Sequence, residues 1–211
     1  MRARWLGAIA CVLAGCGRVN FDPFGAGVID APSIDTPTGD IDDAPNTATY
    51  LAAIAECIDP GTPDPAFCRS INGNTELPVD LDDANLNVPF YSYLRFDFDQ
   101  TIAGRQITAV SLRVVISDGA QSDGPSTGEI WRVATFTATS LQTQAPAQLG
   151  GVPIGADQGA VVQLQPVVWA LPSDVIDGGP LCVGMIPVTA AGVNYFNLQG
   201  ADPPRVRIDF L

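Results

Sequence analysis

The sequence contains no histidine and no lysine, and these two absences remove most of the ordinary means of catalysis. Without histidine there is no Ser-His-Asp triad, no Cys-His pair and no imidazole-ligated zinc; without lysine the Ser-Lys alternative falls as well. Glutamate is scarce too. Glu56, Glu76 and Glu129 are the whole complement, and none stands in a motif that would hold it about 5 to 10 Å from a second carboxylate, as glycoside hydrolysis requires. No catalytic residue is assigned, and the chain reads as a non-enzyme. The basic residues number 10, all arginine and dispersed, against 23 acids, for a formal net charge of -13. Nucleic acid is excluded as a partner, because phosphate binding draws its affinity from clustered cations. An acidic polysaccharide would be repelled unless cations bridged it to the protein.

Long apolar runs are also missing after the first residues, so no membrane-spanning helix is expected in the body of the chain. What is present at the start is Arg2 and Arg4, a short apolar run from Trp5, and then Leu13-Ala14-Gly15-Cys16. A basic head, an apolar body and small residues before a cut make a secretory signal. Its ending resembles the lipobox of bacterial lipoproteins, in which cleavage precedes the cysteine and the cysteine is lipidated. The resemblance implies a signal peptide over 1-15, lipidation at Cys16, and the membrane as a partner through the N-terminal lipid. Cys11 is discarded with the signal. Gly17 in place of aspartate gives no inner-membrane retention signal of the Gram-negative type, so the expected address is exported and outer-membrane anchored. Losing Arg2 and Arg4 moves the mature chain to about -15.

Residues 16-47 carry recurrent Asp and Pro, as in Asp30-Ala31-Pro32, Asp35-Thr36-Pro37 and Asp42-Asp43-Ala44-Pro45, with no hydrophobic period. Such a segment cannot offset the entropy of folding and reads as a disordered, extended tether. The folded domain is expected over 48-211. There the alternation is of period two. Phe90, Leu94, Phe96 and Phe98 share one face of a strand whose other face carries Tyr91, Tyr93, Arg95 and Asp97. Val110, Leu112, Val114 and Ile116 point one way with Ser111 and Arg113 opposite; Val206, Ile208 and Phe210 do so with Arg205, Arg207 and Asp209. Further strands are expected over 127-135, 160-164, 181-188 and 193-198. With 21 glycines and 18 prolines as punctuation, the pattern predicts an all-β antiparallel sandwich of jelly-roll-like form. Helix is minor, its best candidates being 50-56 and 167-171.

Cys57 and Cys68 flank a loop crowded with turn formers in an exported protein. A disulfide is expected between them, the alternatives being two thiols or a metal pair without companions. Cys182 lies in an apolar strand and is expected as a buried structural thiol, since no His or Lys exists to lower its pKa.

Tyr91 and Tyr93 stand two apart on a polar strand face with Arg95 beside them, the arrangement of a sugar-stacking platform; Trp131 is a further candidate. The alternative is that a second sheet or a loop covers the tyrosines. Trp131, Trp169 and Tyr195 are each compatible with a ligand surface but fit core or semi-buried packing better. Asp80, Asp82, Asp83, Asp118 and Asp123 offer loop oxygens to calcium, yet no EF-hand spacing is present and solvated acidic loops fit better. No cofactor and no metal site are assigned.

The series Tyr93-Leu94-Arg95-Phe96-Asp97-Phe98, then Ile107-Thr108-Ala109-Val110-Ser111-Leu112-Arg113-Val114, then Ile130-Trp131-Arg132-Val133 resembles the DNRLRE-type domain, which overlaps carbohydrate-binding module family 96. The closing Pro203-Pro204-Arg205-Val206-Arg207-Ile208-Asp209-Phe210 is similar to that family's final strand. The family's opening strand is not recognisable between Tyr50 and Val88, where the Cys57 to Cys68 loop stands, and no contacts are carried over from it. The resemblance implies a jelly-roll sandwich serving as a non-catalytic binding or adhesive module, with polysaccharide or an envelope protein as partner.

Overall fold

The computed structural model describes residues 46-82 and 88-211. The signal, Cys16, the Asp/Pro-rich segment up to residue 45, and Asp83 lie outside the described residues.

Among the described residues ten strands form in chain order: β1 (Thr47–Leu51), β2 (Ile54–Ile58), β3 (Glu76–Val79), β4 (Tyr91–Phe96), β5 (Ile107–Val115), β6 (Glu129–Arg132), β7 (Pro166–Leu171), β8 (Leu181–Ile186), β9 (Val193–Phe196) and β10 (Arg205–Phe210). An α-helix, α1 (Pro65–Asn72), interrupts them. Two four-stranded sheets, β1-β10-β5-β7 and β2-β4-β8-β6, face each other, and β3 pairs with β9 alongside. Every strand pairing is antiparallel. From β4 to β8 the chain passes from one sheet to the other at each step, which is the jelly-roll-like feature of this all-β sandwich.

Alternation explains the packing. One face of each strand is apolar, and the two apolar faces meet in a single core that includes Leu94 and Phe96 of β4, Val110, Leu112 and Val114 of β5, Trp169 of β7, Val183 and Met185 of β8, and Val206 and Ile208 of β10. Burying side chains of this kind is worth about 1.5–3 kcal/mol each.

Both helical candidates are strands. Residues 50-56 span β1, a crossing and β2: Ala52 N–H donates to Pro204 O at 3.0 Å, while Ala53 N–H donates to Arg95 O at 2.7 Å, so the chain changes sheets between two alanines without losing a hydrogen bond. Residues 167-171 form most of β7, where Val167, Trp169 and Leu171 are buried and Val168 and Ala170 are exposed, a period of two. The strand expected over 160-164 does not form; Val161 makes a single bridge to Gly124.

The helix that does form lies inside the cysteine loop. Asp64 caps it by accepting from Ala66 N–H at 2.9 Å, Pro65 starts it, and Gly73 ends it at φ 84. Cys57 of β2 and Cys68 of α1 are disulfide-bonded, as expected, and pack with Phe90 in a small buried cluster of their own.

Candidate functional site

Register places the predicted surface residues in rows across the outer face of β2-β4-β8-β6. Glu56, Tyr93, Gly184 and Trp131 are successive partners in one row, and Ile58 and Tyr91 pair in the next. Alternation therefore does put Tyr91, Tyr93, Arg95 and Trp131 on one face. That face is not an open platform, and this corrects the sugar-stacking expectation for Tyr93. Residues 134-147 fold back over it, carrying Phe136 and Leu141 into a second cluster with Ile58, Tyr93, Val133 and Cys182. Tyr93 is 2% exposed, its ring edge-on to Phe136 at 6.0 Å. Burial, with Tyr91 adding to it, raises the Tyr93 phenol well above its ordinary value. Burial likewise raises the Cys182 thiol, which suits a structural residue.

Arg95 is a clamp for this covering loop. Its Nη1 donates to Phe136 O at 2.9 Å and its Nε to Asp97 Oδ1 at 2.8 Å. Within the loop, Thr137 and Ser140 cap each other, each side chain accepting from the other's backbone N–H, and a 3-10 turn follows at Ser140–Gln142. Tyr91 and Trp131 are half-buried on this face, Tyr91 packed against the second cluster. Trp131 Nε1 donates to Glu129 Oε2 at 3.0 Å.

Trp169 and Tyr195 belong to the core. Trp169 Nε1 donates to Ala156 O and Tyr195 Oη to Thr127 O, both at 2.8 Å. The glutamates are all engaged structurally: Glu56 with Arg69, Glu76 with Ser117, Glu129 with Trp131. Asp80 Oδ1 accepts from Asp82 N–H, closing a turn. Asp118 and Asp123 are exposed. Among the described residues no three His, Cys, Asp or Glu side chains converge as a metal site would need.

A concavity lies elsewhere, at one end of the sandwich. Strand β4 ends at Phe96 and its partner on β8 is Leu181, so the chain leaving β4 and the chain entering β8 stand side by side. Between residues 97-107 and 176-180 opens a cleft of about 310 Å³. Phe98, Ile107 and Ile176, half-buried against the core, form its apolar wall. Asp97, Asp99, Gln100 and Arg105 stand at its rim.

Both walls are held by short turns. Asp99 Oδ1 accepts from Thr101 N–H at 2.9 Å and from Tyr50 Oη at 2.8 Å, and Tyr50 in turn packs edge-on to Phe98 at 5.0 Å. Its burial favours the neutral acid, but the bonds from Thr101 and Tyr50 outweigh this and hold Asp99 below its ordinary value. On the other wall Asp177 takes Arg132 with Oδ2 and Gly179 N–H with Oδ1. Gly104 and Gly178 adopt φ 70 and 90, and a Cβ on either would meet nothing within 4 Å. Nothing in the alternation of the strands marks this cleft; the signal available was the run Asp97-Phe98-Asp99-Gln100 beside the Asp177-Gly178-Gly179 turn.

No family model matches the sequence, and no curated protein matches it. Among solved structures, the K1 cleaved adhesin domain of Lys-gingipain from Porphyromonas gingivalis aligns over 79% of this chain and 96% of its own length, at 13% identity and a TM-score of 0.23. A superposition of that quality transfers nothing to this chain.

Proposed function

We propose that the protein is a non-catalytic surface module of the bacterial cell envelope, lipid-anchored at Cys16, whose folded domain binds glycan or another envelope component. The observation that carries the binding part is the cleft at the end of the sandwich, a preformed concavity with an apolar wall and a polar rim. The Leu13-Ala14-Gly15-Cys16 sequence supports the anchor, and the Cys57 to Cys68 disulfide supports an oxidising compartment. The resemblance to the DNRLRE-type domain supports a binding rather than a catalytic role. With neither histidine nor lysine, general acid–base work would fall to carboxylates, tyrosines and Cys182.

A structural lipoprotein that contacts other proteins is the second reading. It is favoured by the outer face of β1-β10-β5-β7, where Ala109, Arg207, Val168 and Ala170 are exposed.

Two measurements test these readings. Metabolic labelling with a fatty-acid analogue is expected to mark the chain and to fail in Cys16→Ser; labelling that persists in the variant removes the anchor. The full chain is expected to bind on a glycan array. An empty array, with one envelope protein captured through Arg207 and Val168, would establish the second reading instead.

A further inference from the structure

We infer that the cleft between residues 97-107 and 176-180 takes a neutral hexopyranose, alone or as the end of a short neutral oligosaccharide; this rests on the binding-module reading above. Three features of the cleft argue for that ligand class.

The first is unspent hydrogen-bonding capacity. Seven arginines lie among the described residues, and six of them (69, 95, 113, 132, 205 and 207) have a carboxylate oxygen within 4.0 Å. Arg105 is the exception among them. Its guanidinium lies over the Phe210 ring, 5.5 Å from the centroid, the residue lines the cleft, and its side chain makes no hydrogen bond among the described residues. Opposite, Asp99 is engaged by Tyr50 and by the backbone and side chain of Thr101, while Asp97 uses Oδ1 for Arg95 and its second oxygen makes no hydrogen bond among the described residues. The Gln100 carboxamide makes none either.

The second feature is mixed polarity. The carboxylates only accept, the guanidinium only donates, and the carboxamide does both. A ligand anion would meet Asp97 and Asp99; a ligand cation would meet Arg105. A neutral molecule with adjacent hydroxyls can donate to the first pair and accept from the second. The third feature is shape: polar groups occupy the rim while Phe98, Ile107 and Ile176 form the wall, matching a sugar ring with hydroxyls at its edge and C–H bonds on its face. A volume of about 310 Å³ is at the small end for ligand pockets and suits one or two such rings.

The test is titration of the isotope-labelled full chain, in a sugar-free polyoxyethylene detergent, with methyl glucoside, methyl mannoside and methyl galactoside, and with glucuronate and glucosamine as charged controls. Saturable backbone shifts confined to 97-107 and 176-180 are expected with at least one neutral glycoside, and weaker ones with both controls. Gln100→Ala combined with Arg105→Ala is expected to weaken binding at least about tenfold. Gly179→Trp is expected to abolish it. A Cβ on Gly179 would meet nothing closer than Asp177 Oδ1 at 3.5 Å, so the backbone there accepts a side chain, and unchanged shifts elsewhere will show that the fold is kept. Preference for either charged sugar overturns the inference. Glycan binding that shifts Tyr91 and Trp131 and survives Gly179→Trp also overturns it, while leaving the binding-module reading intact. Absence of glycan binding both on the array and in solution overturns the inference and the glycan reading together.

Discussion

The ring of Tyr93 lies across Gly184, its partner on β8, so closely that a Cβ on the glycine would stand 3.1 Å from Tyr93 Cε1. The same Cβ would stand 3.2 Å from Ile186 Cδ1 and 3.3 Å from Val133 Cγ1. Glycine in a strand interior marks a close approach, and here what approaches is the aromatic ring that carries the covering loop. Gly184→Ala is expected to cost about 1–3 kcal/mol as overpacking, and Tyr93→Ala about 3–5 kcal/mol as a cavity. Urea titration of each variant checks both. A Gly184→Ala protein as stable as the parent would show that the ring is free to move off the sheet. Loss of ligand binding in Tyr93→Ala would report the collapse of this packing and not a lost contact.

That relationship also shows where the sequence is legible and where it is not. The alternation through Val110, Leu112, Val114 and Ile116, and through Val206, Ile208 and Phe210, correctly assigns inner and outer faces, because strand parity is geometric and local. The same parity puts Tyr91, Tyr93 and Trp131 on an outer face, but what covers that face is a loop forty residues away in sequence, fixed by Arg95 to Phe136 O. Tertiary coverage has no local signature. The misassigned elements have a different cause: Ala-rich 50-56 has helical propensity, and the crossing between sheets overrides it. Within 167-171, Val167, Trp169 and Leu171 carry a period-two signal that the segment's shortness obscured. The short helix was readable in Asp64-Pro65, an N-cap followed by proline at the first helical position.

The disulfide should matter more to α1 than to the sandwich. Cys57 and Cys68 are 11 residues apart, and closing a loop of that length contributes roughly 3 kcal/mol by the chain-entropy estimate. Because β2 is held to β4 through all five of its residues, while α1 is short and, apart from buried Cys68 and Pro65, is attached through the Phe67 ring near Phe90 and the part-exposed Arg69–Glu56 pair, reduction is expected to free α1 first. Hydrogen exchange with and without reductant checks this: amides of residues 65-72 should lose protection before those of β2. Equal loss in both would place the bond inside the global unfolding unit.

Asp157 organises the turn that Tyr195 leans on. Its Oδ1 accepts from Thr127 N–H at 2.7 Å, from Thr127 Oγ1 at 2.8 Å and from Gly159 N–H at 3.1 Å, while Tyr195 donates to Thr127 O. Hydrogen bonds to a charged acceptor contribute about 1.5–3 kcal/mol, so Asp157→Ala is expected to cost about 2 kcal/mol or more. Asp157→Asn should recover part of this, since its amide oxygen still accepts. Thermal unfolding of the two variants decides the matter; an alanine variant within experimental error of the parent would mean that water replaces the carboxylate there.

Stability should be flat through neutrality and fall at both extremes, for reasons traceable to single groups. No histidine is present to titrate between about pH 5 and 8. On the acid side, Asp202 accepts from both Nη atoms of Arg113 at 2.8 Å and also pairs with Arg205, and these bonds hold its carboxyl below the ordinary value against the opposing effect of burial. Asp209, bonded first by Thr47, is held low as well, and so is Asp157 by Thr127 despite its burial. In each case the unfolded carboxyl binds its proton more readily than the folded one, so the stabilisation is complete above about pH 4 and drains away as pH falls through the folded values. On the alkaline side burial raises Tyr195 and Tyr93; the folded state holds their protons longer, so stability is full below about pH 10 and declines above it. Urea midpoints from pH 2 to 11 should therefore trace a plateau with two falling limbs. Asp202→Asn is expected to lower the plateau and to shallow the acid limb, because one of the groups responsible for that limb no longer titrates. A variant whose acid limb keeps the parent's slope would show that Arg113 binds Asp202 equally well in either protonation state, contrary to a bidentate pair.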